Sequence, residues 1–185
     1  MSRFEYLSVL ISIVIALGIS EITIAWGRVF QQRVRTNIYW LHAFWSLFSL
    51  FLLIQAWWGF WRYRTVEAWS LGGLTMAISV VVVLSFSALM LVPRPSGDGN
   101  IDSRVIYFQN APKFFGFGAC FVFLVTTMDV LLLGSELLHV ENLFRSIGFS
   151  SALLMIFAKN ETVHAAFAIV SIALLAGFLA TATFY

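Results

Sequence analysis

Ionisable residues in this chain of 185 residues are few, and most of them lie in short clusters that separate long apolar runs. Only 11% of the residues are charged and 61% are hydrophobic, whereas about a quarter of a soluble domain is charged. A water-soluble fold of this length could not bury so much apolar surface. Because no polar segment is long enough to fold alone, we predict a single integral membrane domain over residues 1–185.

The apolar runs are long enough to cross a bilayer as helices, since an apolar core about 30 Å thick needs roughly 20 helical residues. Barrel strands are excluded because the runs are too long and continuous. We therefore predict an all-α bundle of six transmembrane helices with short loops. The fifth span is marginal, because its short apolar core is extended only by Glu141 and Arg145 at helical spacing. The predicted spans are residues 6–27, 38–61, 68–92, 114–138, 141–159 and 165–185.

Two groups of Trp and Tyr residues support the limits of the second span. These side chains prefer the headgroup level of a bilayer, and their separation of roughly 18–20 residues matches one crossing at about 1.5 Å per residue. We therefore predict an aromatic belt at each end of this span. One end carries Tyr39 and Trp40, and the other carries Trp57, Trp58, Trp61 and Tyr63.

The longest polar connection precedes the fourth span. Residues 93–102 are rich in Pro, Ser, Gly, Asp and Asn, which favour turns, and they are predicted to form an exposed loop. Residues 104–111 alternate basic, polar and aromatic side chains, a pattern typical of a short helix lying in the membrane interface. Pro112 suits the first position of the next helix. An ordinary loop over residues 104–111 is the alternative.

Lys and Arg residues are unevenly divided between the two sides of this topology, with seven in the loops after the first, third and fifth spans and four on the other side. Because cytoplasmic loops carry the excess of positive residues, we predict that both termini lie outside the cytoplasm. A re-entrant fifth span would move the C-terminus to the other side. The seven residues are Arg28, Arg33, Arg35, Arg94, Arg104, Lys113 and Lys159.

Two carboxyl side chains, Glu21 and Asp129, lie inside predicted spans. An ionised carboxylate within a membrane is costly, so such groups usually face protein or water and have a partner. We therefore predict that both are candidates for an ion or proton pathway. The alternative is a structural role in helix packing. Gly18 and Ala25 are predicted to share a helix face with Glu21, and Thr126 and Thr127 could satisfy Asp129 as a structural polar cluster.

The two carboxyls lie at similar distances along the first and fourth spans, which run in opposite directions. This arrangement is typical of the inverted three-plus-three repeats of secondary transporters. The remaining pairs of spans show no such similarity, so coincidence is the favoured interpretation.

Polar residues in the second and sixth spans suggest two further roles. His42 and His164 would lie near the same membrane face, and two facing histidines could ligate a haem iron. The alternative is that both are solvated at the interface. Gln55, in the middle of the second span, is expected to hydrogen-bond across helices, as is Thr126 in the fourth.

The sequence lacks the motifs of several site classes. It has no phosphate-binding glycine loop, no His-Glu-x-x-His and no Ser-centred elbow, so we predict no catalytic residues. The histidines and Cys120 show no metal-ligand spacing, so no metal site is expected. The Trp-Arg-Tyr-Arg segment at 61–64 is typical of an interface anchor, and no nucleic-acid partner is predicted.

Three segments resemble a group of small bacterial polytopic membrane proteins whose activity is uncharacterised: FEYLSVLIS at 4–12, YWLH at 39–42, and YF with FFG between 107 and 116. The resemblance covers much of the chain and implies the cytoplasmic membrane of a bacterium. It implies no functional residue.

These observations leave three functional hypotheses. The leading one is a non-enzymatic membrane subunit that packs in a homo-oligomer or a larger complex, because little protrudes from the bilayer and no reactive cluster is visible. The second is a small transporter or ion pathway that uses Glu21 and Asp129. The third, less favoured, is a haem-binding redox protein. Apart from that alternative we predict no cofactor, and we expect the bilayer as partner, with bound lipid.

Overall fold

The computed structural model describes residues 3–31, 36–92 and 101–181, and in these ranges the chain is an all-α bundle. Six of its helices are long and apolar enough to cross a membrane. This confirms the predicted six-span, multi-pass membrane fold, including the marginal fifth span. The helices are α1 (Arg3–Gln31), α2 (Trp40–Gly59), α3 (Leu71–Leu89), α4 (Ser103–Leu133), α5 (Val140–Phe157) and α6 (Glu161–Thr181). A 3-10 helix, Phe60–Thr65, continues α2.

Helix α4 packs along α3 on one side and α5 on the other. Helix α1 packs on α3 and α2, and α6 packs on α5 and α2. Two short strands, β1 (Thr36–Asn37) and β2 (Ile101–Asp102), pair in parallel and join the segments that precede α2 and α4. With six antiparallel crossings, the start of α1 and the end of α6 lie at the same end of the bundle.

The buried face of α1 repeats every three or four residues, as expected for a helix with one side in a core. Gly18 and Ala25 lie on this face, and a Cβ atom at Gly18 would be 2.9 Å from the Ser85 hydroxyl oxygen of α3. Glu21 is exposed instead. The expectation that Glu21 shares a face with Gly18 and Ala25 was therefore wrong, because the true face is set by the larger apolar residues between them.

Helix α4 is a single continuous helix from Ser103, so the predicted separate interfacial helix over residues 104–111 is wrong. The Asp102 carboxylate caps its start by accepting hydrogen bonds from the backbone amides of Arg104 and Val105, at 3.0 and 3.2 Å. Pro112 lies inside the helix, where it removes one backbone hydrogen bond without ending it. Tyr107 is fully buried, and this packing holds the first turns in the bundle.

The ends of the other helices follow ordinary local rules. The Ser70 hydroxyl caps α3 by accepting from the Gly73 amide at 3.1 Å. Gly134 ends α4 with a φ of 64°, the left-handed conformation that glycine adopts most readily. Helix α4 therefore ends before residue 138, the predicted limit of the fourth span. Asp129 consequently lies in its last turns rather than at mid-span.

The residues of the predicted aromatic belts differ in exposure, and the belts themselves stay a prediction. Trp40 at one end of α2, and Trp57 and Trp61 at the other, are about half exposed. Tyr63 is an exception, because it is buried at 3% exposure and belongs to the interior. Arg33, Arg35, Arg94, the loop over residues 93–100 and the last four residues of the sixth span lie outside the described residues.

Candidate functional site

A cluster of charged side chains is buried at the end of the bundle where α1 begins. The 3-10 helix after α2 contributes Arg62 and Tyr63, the last turns of α4 contribute Asp129, and the first turns of α5 contribute Glu141 and Arg145. We call these five residues the ion cluster. The start of α1 lies beside it, since Phe4 stacks on Phe60 with ring centroids 5.3 Å apart.

Asp129 is the best-connected member of the ion cluster. The Tyr63 hydroxyl donates to its Oδ1, and Nη1 of Arg145 lies 2.5 Å from its Oδ2. Nη1 of Arg62 lies 3.7 Å from the same carboxylate and 2.8 Å from Oε2 of Glu141. Thus Arg62 bridges the two acids. The predicted Glu141–Arg145 pair along α5 is wrong, because each residue pairs with a different element.

The ion cluster is electrically balanced, since two guanidinium groups face two carboxylates. Both carboxylate side chains are only 3% exposed, and those of Arg62 and Arg145 are 18% and 11% exposed. Charges withdrawn from water in this way need close partners, because an uncompensated buried charge costs several kcal/mol. Oε1 of Glu141 is a buried acceptor with no partner in the described part of the chain.

A cavity of about 230 Å³ extends from the ion cluster into the bundle. It lies between α2, α3, α4, α5 and α6, and its walls are mostly apolar and aromatic. Along α4 the wall runs from Phe114 to Asp129, which corresponds to about 22 Å of helix. Arg62, Tyr63 and Arg145 also line it, so the cavity has one charged end and one apolar end.

The apolar end is lined by Trp45, Phe114, Phe115 and Phe167, which we call the aromatic layer. The ring centroid of Phe115 lies 4.9 Å from that of Phe114, 5.2 Å from that of Trp45 and 5.7 Å from that of Phe167. Such distances are typical of favourable aromatic pairs. The cavity therefore has charged residues at one end and aromatic residues at the other.

Beyond the aromatic layer, His42 and His164 are fully buried around Tyr107. Nε2 of His42 lies 2.6 Å from the carbonyl oxygen of Leu91, just after α3, and Nε2 of His164 lies 3.1 Å from that of Ala158, the C-cap residue of α5. Each histidine thus satisfies a carbonyl group at a helix end that would otherwise lack a donor.

This arrangement does not fit the haem ligation predicted for His42 and His164. Their Nε2 atoms face backbone carbonyls, and the Tyr107 hydroxyl lies 2.7 Å from Nδ1 of His164. The Tyr107 ring also contacts both imidazoles, with centroids 6.4 and 5.4 Å away. The prediction that the two histidines lie near the same face agrees with these contacts, but the interfacial solvation weighed as the alternative does not. Across residues 3–31, 36–92 and 101–181 there is no metal-binding group of three His, Cys, Asp or Glu.

Glu21 and Asp129 are not brought together. Asp129 lies at the level of Tyr63, near Phe4, whereas Glu21 is further along α1 by 17 residues, or about 25 Å of helix. Glu21 is exposed on the outside of the bundle, and it makes no hydrogen bond or ion pair in the described ranges. The two carboxyls are therefore not equivalent halves of one pathway through this chain.

The two polar residues predicted to join helices have different surroundings. Gln55 is half-buried and lines the cavity one turn before Gly59. Thr126 is half-buried on α4 but does not hydrogen-bond to Asp129, whose carboxylate accepts hydrogen bonds from Tyr63 and Arg145.

Sequence reasoning missed Arg62, Tyr63 and Arg145 as interior residues. The first two were assigned to an interface anchor and the third to a pair along one helix. A usable signal was present, because two arginines and two acids fall at the ends of spans that meet on the same side of the membrane.

Comparisons of this chain with models of protein families, with characterised proteins and with solved structures give no match.

Proposed function

We propose that this multi-pass membrane protein binds one elongated apolar molecule from the bilayer inside its helix bundle. The observation that supports this most directly is the cavity, with the ion cluster at one end and the aromatic layer at the other. At about 10–15 Å³ of such volume per water-sized group, a cavity of about 230 Å³ has room for roughly 15 to 23 groups. A single long hydrocarbon chain fits that estimate.

The shape and chemistry of the cavity favour a chain over a compact solute. The wall runs about 22 Å along α4, which is longer than the roughly 15 Å of apolar core in one leaflet. The polar end lies near the exposed Trp57 and Trp61, and Trp side chains prefer the headgroup level of a bilayer. A bilayer molecule could therefore keep its polar head near the interface while its chain lies among the helices.

The binding can be tested with a nitroxide-labelled chain that quenches tryptophan fluorescence. The probe is an octadecanoate methyl ester with the nitroxide at the chain end, added to the delipidated protein in detergent. The chain end is expected to reach the aromatic layer and quench Trp45, which is 2% exposed. The chain has seven tryptophans, and the quenching that is lost in a Trp45→Phe variant is the part that comes from Trp45.

A matched pair of glycine variants completes the test. Gly148 lines the cavity, and a Cβ atom at this position would have no other heavy atom within 4 Å, so Gly148→Leu is chosen to occupy part of the space. Gly27 on α1 is equally free of neighbours and is not part of the cavity wall. We expect Gly148→Leu to abolish the quenching of Trp45 and Gly27→Leu to leave it unchanged. Equal quenching in both variants would contradict the proposal.

A second candidate, a subunit that docks another membrane protein, is favoured by Glu21 alone. An unpaired acidic side chain at this depth costs about 3 kcal/mol on insertion scales, and a partner helix with a donor at the same depth would offset that cost. A symmetric dimer through α1 would instead place Glu21 against Glu21. The occupant is therefore a transmembrane helix of a different protein, bearing a basic or hydroxyl side chain.

The docking candidate is tested by photo-crosslinking in the native membrane. A photoreactive residue at Leu17, one turn from Glu21 and 64% exposed, is compared with one at Leu154 on α5, which is 73% exposed. We expect one protein adduct from position 17 that persists with Glu21→Gln and is lost with Glu21→Leu, and lipid adducts only from position 154. Lipid adducts alone at position 17, or an adduct with a second copy, would refute it.

A further inference from the structure

The ion cluster offers hydrogen-bond donors to the cavity but few acceptors. An arginine side chain has five N–H groups, and in the described part of the chain only Nη1 of Arg62 and of Arg145 takes part in a hydrogen bond or ion pair. Both side chains line the cavity. Most of the carboxylate oxygens of the ion cluster already accept hydrogen bonds, because both oxygens of Asp129 and one of Glu141 have partners.

The remaining acceptor, Oε1 of Glu141, does not change this balance for an occupant. Its solvent-accessible surface is below 1 Å², and Glu141 is not among the residues of the cavity wall. A molecule in the cavity therefore meets unused guanidinium N–H groups at the charged end, and elsewhere it meets mostly apolar side chains.

We propose that the occupant carries a neutral head group made of hydrogen-bond acceptors, such as an ester or quinone carbonyl; this inference rests on the proposed binding of an apolar chain. An ammonium head would face two guanidinium groups without a free carboxylate oxygen on the wall. A carboxylate head would add a net negative charge to a cluster that is already balanced, in a region where an uncompensated charge is costly. A carbonyl oxygen accepts from Arg62 or Arg145 without either penalty.

Four probes with the same eighteen-carbon chain test the head group: octadecane, methyl octadecanoate, octadecanoic acid and octadecylamine. Each competes with the nitroxide ester for the site that quenches Trp45. A hydrogen bond to a charged donor contributes about 1.5–3 kcal/mol, so we expect the ester to compete at least about tenfold more strongly than octadecane. The amine should compete no better than octadecane. The acid should be weaker than the ester at neutral pH and approach it as the pH falls and its carboxyl is protonated.

A conservative variant connects the preference to the guanidinium groups. Arg62→Lys keeps a cation for Glu141 but loses the planar set of spare N–H groups. We expect it to reduce the preference for the ester over octadecane to within about threefold while octadecane still binds. Arg145→Lys serves as a second variant if the first does not fold. An unchanged preference in the folded variant would overturn the inference.

The outcomes separate this inference from the proposed function. Displacement by no probe, together with the absence of Trp45 quenching, would refute both. Equal competition by all four probes, or the tightest binding by the amine or by the ionised acid, would refute only the neutral acceptor head. Solvent extraction of the protein from its membrane then separates the two natural sources of such a head, since an acyl ester and a quinone differ in mass and in ultraviolet absorption.

Discussion

Replacing Asp129 by Asn tests whether the ion cluster is held together by charge balance. Asn keeps the shape of the side chain and an oxygen for the Tyr63 hydroxyl, but it leaves Arg62 and Arg145 facing the single carboxylate of Glu141. Removing one partner of a buried ion pair costs about 3–5 kcal/mol. Because the two guanidinium groups retain some exposure, we expect a loss near the lower end, about 3 kcal/mol.

A second substitution should restore most of this loss. Asp129→Asn combined with Arg145→Met removes one charge of each sign and leaves the pair of Arg62 and Glu141 balanced, with Nη1 and Oε2 2.8 Å apart. Replacing a buried pair by neutral groups is often close to neutral, so we expect the double variant to lie within about 1 kcal/mol of the wild type.

The free energy of unfolding is measured in detergent micelles titrated with SDS and followed by tryptophan fluorescence. The control is Glu161→Gln, which breaks the Arg104–Glu161 pair at 2.7 Å, whose side chains are 61% and 43% exposed. Exposed pairs contribute less than about 1 kcal/mol. Charge balance does not hold the ion cluster together if Asp129→Asn costs no more than this control, or if the double variant is as unstable as the sum of its single changes.

Three further predictions concern helix packing and helix ends. A Cβ atom at Gly177 would lie 2.6 Å from the ring of Phe144, a residue that lines the cavity. Gly177→Ala should therefore displace that ring into the cavity and weaken quenching by the probe. The free energy of unfolding should change by only about 1 kcal/mol. Asp102→Ala removes the cap of α4 and should cost about 1 kcal/mol of unfolding free energy, with Asp102→Asn nearly neutral. His164→Phe leaves the fully buried Tyr107 hydroxyl without its partner and should cost about 1–3 kcal/mol; no loss in SDS titration would contradict the assigned hydrogen bond.

The number of spans was predictable from the sequence because hydropathy acts over local stretches. A helix in lipid satisfies its own backbone groups, so a run of about 20 apolar residues specifies a crossing without reference to its neighbours. The predicted helix limits were wrong where contacts with other parts of the chain determine them. Packing of Tyr107 and capping by Asp102 extend α4 to Ser103, although the local pattern of residues 104–111 suggested an interfacial helix.

The candidate site was only partly predictable. Asp129 was identified as a costly intramembrane acid, but hydropathy carries no information on which distant side chain compensates it. The structure brings Tyr63 and Arg145 to Asp129, and it pairs Glu141 with Arg62 across 79 residues of sequence.

The sequence by itself determined that this is a membrane protein with six segments long and apolar enough to cross the bilayer. Each segment can be identified separately, because its side chains and backbone are solvated without reference to the other segments. Only the tertiary structure decided that the Glu21 side chain is exposed on the outer surface of the bundle, that Asp129 belongs to a balanced ion cluster, and that a cavity remains between five helices. Those features depend on how helices pack sideways, and lateral packing is set by shape and charge between residues far apart in the chain.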